Sequence, residues 1–526
     1  MSDSNVDGGF ENGYFTFRDG YLYCEEVNVD ALRKSLAASI FPSSPFYLYS
    51  KKQIQDNVES YKKALQEFNI DYSLNYAAKA NSNLSVLKIM KDLGCSLTTA
   101  SGMELKLALE VGFEASMIVM NGTGKQLWEL EMAITAGALV NIDSDFDAEN
   151  IIEVARKLGK DAKVLIRVNP DVDPRVHHYV NTGKEGTKFG VSLEDISTVL
   201  GLLEIEPLVH LVGIHVHLGS TIDDTSVFRK STELVLTLFS NIESKGFKSL
   251  KYLNIGGGLG IPYGKNMLRT HCYRNDSKAS HQRLDKLFEE LEASGITTEM
   301  FQSCKTHLSQ YKSEKTSKQE FLSAMMRILP TSCPVRNPLS HFVKTKDRIQ
   351  SSVPSPAETI KEIKDVIGDK PIKLMLEPGR SLIGNSTILV TNILGTKHSG
   401  NKRYVVCDGA MTELLRPCLY EAYHHAELIE PSTRAGEGKH LFDIVGPVCE
   451  SGDFLGKDRL LSVPHRGCGL AVFDTGAYCS SMGSNYNFRL KPAEILVDGS
   501  SWKLIRQPDK YEDCMKPFYD LDNGVP

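Results

Sequence analysis

The chain is 526 residues long, with 41% hydrophobic and 24% charged positions, the composition of a globular protein large enough for two or more domains. Its 60 basic and 66 acidic residues leave a net charge of −6, which excludes a globally basic surface of the kind that gathers nucleic acid or anionic membrane. The partner expected from that balance is a small molecule.

Eleven cysteines are scattered without CxxC pairs or zinc-ligand spacing, so neither a metal site nor a disulfide framework is expected, and a reducing compartment suits them. The amino terminus has no apolar signal core and no Arg-rich, acid-poor character, and no apolar run reaches membrane-spanning length. A cytoplasmic protein is expected, with the plastid stroma as the alternative should a transit peptide be missing.

In chain order, Tyr14–Val27 is strand-like, with a turn at Arg18-Asp19-Gly20, and is expected to join a β-rich domain. Short apolar runs then alternate with helical patterns. The runs fall at Tyr72–Ala77, Ser96–Thr99, Met117–Met120, Leu139–Ile142, Lys163–Val168, Val212–His217, Tyr252–Ile255 and Lys373–Leu376. Between them, apolar residues recur at three and four spacing, as in Leu84, Leu87, Ile89, Met90 and Leu93. Continuous apolar runs are the mark of buried parallel strands, and eight strand-helix units predict a closed (β/α)8 barrel.

Polar and glycine residues gather where those runs stop: Lys79, Ser101-Gly102, Asn121-Gly122, Asp143, Asn169-Pro170, His217-Leu218-Gly219-Ser220, Gly256–Gly258 and Glu377–Arg380. In such a barrel all strand carboxyl ends open onto one face, so these groups converge there. Asn121, Asp143 and Asn169 are read as turn residues.

The connection from Gly260 to Glu377 is far longer than the roughly 20 to 30 residues that a loop, helix and loop require. Pro354–Asp369 supplies its regular helix. The excess, about residues 265–353, leans basic and holds two amphipathic patterns, Gln282–Ala293 and Lys318–Leu329. It is read as a surface insertion, with a lid or interface element as the other reading, because it leaves from the active-site face.

After Arg380 the helical pattern gives way to strand-like runs at Thr387–Ile393, Arg403–Val406, Phe442–Val445, Leu470–Phe473, Glu494–Val497 and Trp502–Ile505, which predict an all-β domain, sandwich- or barrel-like. The domain reading is a segment 1–45 joining the β domain, a barrel over 46–385 carrying the insertion, and a β domain over 386–526. Near its middle, Gly446-Pro447-Val448-Cys449-Glu450-Ser451-Gly452 places a thiol beside a carboxylate in a turn. A free cysteine is by default a small buried hydrophobe; the turn setting favours an acid.

The motifs Tyr76-Ala77-Ala78-Lys79-Ala80-Asn81, His215-Val216-His217-Leu218-Gly219-Ser220, Gly256-Gly257-Gly258, Glu377-Pro378-Gly379-Arg380, Arg416-Pro417-Cys418-Leu419-Tyr420, Cys449-Glu450 and Asp474-Thr475-Gly476-Ala477-Tyr478 follow one another in a fixed order. Together they resemble the diaminopimelate decarboxylase family, pyridoxal-phosphate enzymes that make L-lysine from meso-diaminopimelate, and are most similar to its plant-type branch. The likeness runs from about Phe15 to Asn487, leaving out the insertion.

That resemblance implies pyridoxal 5'-phosphate held by Lys79, whose amine is nucleophilic only when unprotonated. It implies Glu377 on the pyridine nitrogen, His217 stacked on the ring, and Ser220, Gly256, Gly257, Gly258, Gly379 and Arg380 as a phosphate cradle, since glycines bare their N–H groups. His215, one face removed, is expected to be a core histidine or one that supports the residues lining the site. Arg416 and Tyr420 are implied as ligands of the distal carboxylate, for which an arginine fork is suited and an amine is not. Glu450 is implied for the distal amino group, Tyr478 for contact with cofactor and substrate, and Arg380 also for a substrate carboxylate.

Cys449 is implied as the acid that returns a proton, delivered with Glu450 from the partner subunit of a homodimer whose active sites are shared across the interface. Departures from the family pattern are the insertion, Thr98 where many bacterial members carry an acid, and Met103 at a usually small or polar position. The alternatives are a decarboxylase of ornithine, arginine or a carboxylated polyamine, and a non-catalytic regulatory protein on the same fold.

Overall fold

The first strands, β1 (Phe15–Arg18), β2 (Tyr21–Cys24) and β3 (Val27–Asn28), form a small antiparallel sheet. Asp19 (φ 51°) and Gly20 (φ 79°) are both left-handed, the conformation that a two-residue Asp-Gly hairpin demands. This computed structural model describes residues 13–39, 42–172, 187–263, 296–313, 318–330, 353–432 and 438–518, with positions 288, 291, 292, 333 and 436.

Strand β4 (Phe46–Ser50) is buried at every residue. Eight parallel strands then close on themselves: β5 (Tyr72–Ala77), β6 (Ser96–Thr99), β7 (Ile118–Met120), β8 (Leu139–Ile142), β9 (Ala162–Arg167), β10 (Val209–His215), β11 (Tyr252–Asn254) and β12 (Lys373–Leu376). Closure is made where Leu374 on β12 pairs with Tyr72 on β5. Period-two alternation sorts the strand residues. Val164, Ile166 and Leu374 join the main core with the surrounding helices, whereas Val119, Leu139, Leu165 and Met375 form a separate cluster made by strand residues, which fills the barrel interior. Each such buried side chain contributes roughly 1.5–3 kcal/mol.

The helices between the strands are ended by their sequence. Ser144 caps helix Asp145–Leu158 by accepting from the N–H of Asp147, and Gly159 (φ 62°) stops it in the left-handed region. Ser355 and Glu358 form a reciprocal capping box on Pro356–Ile367.

The remaining strands are β13 (Thr387–Ser399), β14 (Lys402–Cys407), β15 (Ala426–Leu428), β16 (Lys439–Val445), β17 (Phe454–Ser462), β18 (Gly469–Val472), β19 (Ala493–Asp498) and β20 (Ser501–Arg506). They build a nine-stranded mixed sheet in the order β17-β16-β14-β13-β4-β19-β20, with β18 on β13 and β15 on β18. The fold is thus a (β/α)8 barrel with an all-β unit.

Strand β4 belongs to this sheet, although the boundary at residue 45 assigns it to the barrel. The reason lies in its two faces: Phe46 and Leu48 join the core of the β unit, while Tyr47 and Tyr49 join the main core. Phe15, Leu22, Cys24 and Val27 lie in the same β-unit core, so the amino-terminal sheet packs there.

In the insertion, Lys318–Ile328 is helical close to its expected limits, and a second helix, Thr298–Lys312, was not anticipated. Of Gln282–Ala293, only Phe288, Leu291 and Glu292 lie among the described residues, where they are helical. Phe301, Cys304, Leu308, Phe321 and Met325 give the segment a small hydrophobic cluster of its own. Among the described residues no helix is long and apolar enough to cross a membrane.

Candidate active site

Lys79 sits on a single 3-10 turn, Ala78–Ala80, that follows β5, exposed between two buried alanines. The turn is tied down on both sides. The N–H of Ala77 donates to the carbonyl of Pro378 at 3.1 Å, that of Tyr478 to the carbonyl of Ala80 at 2.8 Å, and Asn81 Nδ2 to the carbonyl of Gly476 at 3.2 Å. A flexible side chain thus stands on a fixed backbone, at the mouth of the barrel. Its charge reaches His215, His217 and Glu104.

Glu377, buried just past β12, accepts from amides on both oxygens: Asn254 Nδ2 at 2.8 Å and Asn121 Nδ2 at 2.9 Å. His215 Nε2 lies 3.5 Å from it, and Asn141 bridges His215 and Asn121. Burial pushes the His215 imidazole down to about 4, so the ring is neutral. Asn121 is therefore more than a turn residue. Neither Asn141 nor Asn254 stands out in the sequence, where an amide at a strand end resembles any turn; the signal available was that both lie at the carboxyl ends of strands of one barrel.

His217 lies two residues beyond β10, half-buried. Its Nδ1 accepts the Gly257 N–H at 3.1 Å, which makes that nitrogen the unprotonated one. Burial, and then the charge of Lys79, hold the ring neutral well below the usual histidine range.

The glycine run is required by close approach. A Cβ on Gly256 would meet the Val216 carbonyl oxygen at 2.5 Å, on Gly257 that of Glu377 at 2.2 Å, and on Gly258 that of Gly219 at 2.4 Å. The Gly256 N–H donates to Asn254 Oδ1 at 2.8 Å. With Gly257 bound to His217, two of the three amides are engaged within the protein, fewer free donors than the run suggests.

Arg380, buried, donates through Nε and Nη2 to Ser220 Oγ at 3.2 and 3.0 Å and lies 4.8 Å over the Tyr478 ring. Gly379 precedes it with little room for a side chain, since a Cβ would meet Ala80 Cβ at 3.0 Å and Tyr478 Oη at 3.1 Å. Tyr478 is left-handed (φ 58°), and its ring lies against Arg380.

Arg416 begins the short helix Arg416–Tyr420, is 3% exposed, and shares its Nη1 with His424 Nε2 at 2.6 Å. Its Nε is buried without a hydrogen-bond partner. Tyr420 closes the helix, half-buried. Lys79, His217, Glu377, Arg380 and Tyr478 thus gather at the barrel mouth.

Cys449 and Glu450 stand apart on the turn between β16 and β17, both exposed. The Cys449 N–H donates to Asn487 Oδ1 at 2.8 Å, and Glu450 Oε1 accepts from the Gly452 N–H at 3.2 Å. Asp453 braces the turn by accepting from the N–H groups of Val448 and Met411, each at 2.7 Å. Among the described residues no hydrogen bond or ion pair joins Cys449 or Glu450 to Lys79 or Glu377.

Residues 51–300 match the family model described as "Pyridoxal-dependent decarboxylase, pyridoxal binding domain". A "Probable diaminopimelate decarboxylase, chloroplastic" of Oryza sativa subsp. japonica is 39% identical over 96% of this chain and 84% of its own length. The chain belongs to the diaminopimelate decarboxylase family. A diaminopimelate decarboxylase of Aquifex aeolicus is 33% identical over 97% of this chain and 98% of its own. The family's crystal structure from M. jannaschii, in co-complex with L-lysine, superposes with a TM-score of 0.75 at 26% identity, covering 97% of this chain and 99% of that one.

The residues fit the family's pyridoxal phosphate on chemical grounds. Glu377 accepts from two amide donors, the His217 ring is neutral and half-buried, and an arginine and a hydroxyl border a glycine cradle that a Cβ would fill.

Proposed function

We propose that this chain releases carbon dioxide from the D-centre of meso-2,6-diaminopimelate and yields L-lysine, with pyridoxal 5'-phosphate as cofactor. This is the activity that the family membership carries, and it makes the chain a carboxy-lyase of lysine biosynthesis. Lys79 Nζ would hold the cofactor's aldehyde carbon, Glu377 its ring nitrogen, His217 its ring face, and Ser220, Gly256, Gly257, Gly258, Gly379 and Arg380 its phosphate. When bound, the cofactor supplies an electron sink for the pair left behind by carbon dioxide.

The observation that carries the substrate reading is the buried Arg416, whose Nε lacks a partner. A buried guanidinium with a spare donor suits a carboxylate and repels an ammonium, which favours diaminopimelate over ornithine or arginine. Arg416 and Tyr420 grip the distal carboxylate, Glu450 takes the distal ammonium, and Tyr478 borders cofactor and substrate. With the far end anchored, the reacting carboxylate stays unpaired and free to leave. Cys449 would supply the proton to the α-carbon, and Lys79 Nζ would be the group that takes hold of the cofactor again as the product leaves.

The exposure of Cys449 and Glu450 supports a homodimer in which each subunit lends this pair to the other's barrel. As units we take residues 1–50 and 386–526 together as the β domain, and 51–385 as the barrel with its insertion. The cytoplasm is the compartment proposed; the plastid stroma is the second reading, favoured by the chloroplastic rice relative.

The test is carbon dioxide and L-lysine release by purified protein with pyridoxal phosphate, offered meso-diaminopimelate, ornithine and arginine separately. Lysine from diaminopimelate alone is expected. Turnover of ornithine or arginine instead would overturn the assignment of Arg416, and absence of any cofactor absorbance band would support a non-catalytic protein.

A further inference from the structure

A group of metal-ligating side chains lies in the β unit. Glu430 stands two residues past β15, and His465 and Cys468 lie in the turn between β17 and β18. Antiparallel pairing of β15 with β18, Leu428 opposite Leu470, brings Glu430 beside that turn. One ligand atom from each of the three lies within 4.8 Å of the others. The opposite ends of the same two strands lead to His424 and Phe473, which meet next to Arg416, so the group sits a strand's length from the site described above. Sequence spacing gave no sign of it, because Glu430 joins the other two only through strand pairing.

The bonds around the three hold them in place. Cys468 is wholly buried; its Sγ accepts the His465 N–H at 3.2 Å, and its carbonyl accepts from Ile393 on β13 at 2.8 Å. Arg33 Nη1 donates to the Gly467 carbonyl at 3.1 Å, fixing the same turn. His465 Nδ1 lies 3.0 Å from the carbonyl oxygen of Arg466, which only accepts, so Nδ1 carries the proton and Nε2 keeps its lone pair. Histidines that bind metals are commonly set this way. Glu430 Oε1 accepts from Arg33 Nη2 at 3.2 Å and the Gly469 N–H at 3.1 Å, while Oε2 lies 3.6 Å from Lys34 Nζ. Lys34 is committed to Asp30 Oδ2 at 2.6 Å and its side chain is 61% exposed, so it yields Glu430 Oε2 readily. Asp30 and Glu430 balance Arg33 and Lys34, and a thiolate at Cys468 adds the negative charge that attracts a divalent cation.

We propose that Glu430, His465 and Cys468 bind a zinc ion, with water as the fourth tetrahedral ligand, and that the ion pins the turn between β17 and β18 to the end of β15. One sulfur, one imidazole and one carboxylate suit zinc, whereas magnesium and calcium take oxygen shells. Zinc would hold the three atoms about 3.4–3.6 Å apart, so each side chain closes by less than about 1 Å. The Cys468 thiol gives its proton to solvent as the sulfur–zinc bond forms. The ion takes no part in the reaction, and the inference stands apart from the decarboxylase reading.

The test uses the full chain, unmodified and as His465→Ala and Cys468→Ala, equilibrated with zinc and dialysed against metal-free buffer. Zinc per chain is measured by elemental analysis, and affinity by competition with a chromophoric chelator. One zinc per unmodified chain is expected, with affinity lower by about a hundredfold or more in each variant, since loss of a mere supporting partner already costs about 10–100-fold. Zinc is also expected to raise the Tm of the unmodified chain and to leave that of the variants unchanged. His465 is half-buried, so His465→Ala is expected to fold and carries the test even where loss of the buried Cys468 side chain disturbs the core. Zinc held as tightly by His465→Ala as by the unmodified chain, as the exposed Cys449 and Glu450 alone would hold it, would overturn the proposal. So would an unmodified chain that retains no zinc, or one that binds calcium in preference to it.

Discussion

Tyr478 gives its backbone N–H to the carbonyl of Ala80, 2.8 Å away, and so joins the β unit to the turn that carries Lys79. The loop that delivers Tyr478 has no slack. A Cβ on Gly476 would lie 1.9 Å from the carbonyl oxygen of Ile383, a backbone atom that cannot step aside. Gly476→Ala is therefore expected to lift the loop off the barrel, lowering Tm by roughly 5 °C or more and weakening cofactor binding together with it. Thermal unfolding and cofactor titration should move in parallel; a stable variant with impaired cofactor binding would show that the loop acts on Lys79 alone.

Lys79 and Cys449 should separate attachment from protonation. Lys79→Ala is expected to lose turnover and the visible band of lysine-bound cofactor. Cys449→Ala is expected to keep that band and to slow turnover by about 10²–10⁴-fold, the range for a lost general acid. Mixing the two inactive variants tests the exposed position of Cys449. If each subunit serves its neighbour's barrel, a statistical mixture of dimers recovers about a quarter of full activity, because half the dimers are mixed and each has one intact site. No recovery after verified subunit exchange would place Cys449 and Lys79 in the same subunit's site.

The two amides on Glu377 differ in a way that predicts an order of effects. Asn121 donates to Glu377 and accepts from Asn141, whereas Asn254 donates to Glu377 and also accepts the Gly256 N–H. Asn254→Ala should thus disturb both the carboxylate and the glycine cradle. Each lost hydrogen bond to a charged group is worth about 1.5–3 kcal/mol, so cofactor affinity should fall by about tenfold or more in Asn121→Ala and further in Asn254→Ala. Equal losses in a fluorescence titration would separate the cradle from Asn254.

Much of the barrel was legible because buried parallel strands read as unbroken apolar runs: β5, β6, β8 and β12 begin and end as expected. Strand β4 was not, because its alternating residues serve two different cores, a property of tertiary packing. Strand β17 escaped because Gly456-Lys457-Asp458-Arg459 interrupts its pattern where its pairing with β16 shifts register. Helix Thr298–Lys312 escaped because its buried stripe of Phe301, Cys304 and Leu308 is thin. At the site, motif residues could be found from local sequence. The partners of Glu377 could not, since Asn121 reaches it across the closed barrel and Asn254 from the adjacent strand β11, each more than a hundred residues away in the chain.

Glu413 provides a pH-dependent prediction. It lies three residues before Arg416, 2% exposed, and burial pushes its carboxyl up to about 7, although the Thr412 hydroxyl and the Ala410 N–H, both at 2.8 Å, pull the other way. The neighbouring charges divide: Arg489 lowers the value and Asp453 raises it. A carboxyl with its folded pKa above the unfolded one binds its proton more tightly in the native state. Its contribution to stability is complete below the unfolded value of 4.5 and is lost as pH rises through about 7. The loss is on the order of 3 kcal/mol for a shift of this size. Glu413→Gln preserves an acceptor for Ala410 and cannot ionise, so urea unfolding between pH 5 and pH 8 should show a smaller fall in stability than the unmodified chain, with the variant the more stable of the two at pH 8. Identical pH slopes would mean that Glu413 is ionised across the range, held there by Arg489 and its two hydrogen bonds against the cost of burial.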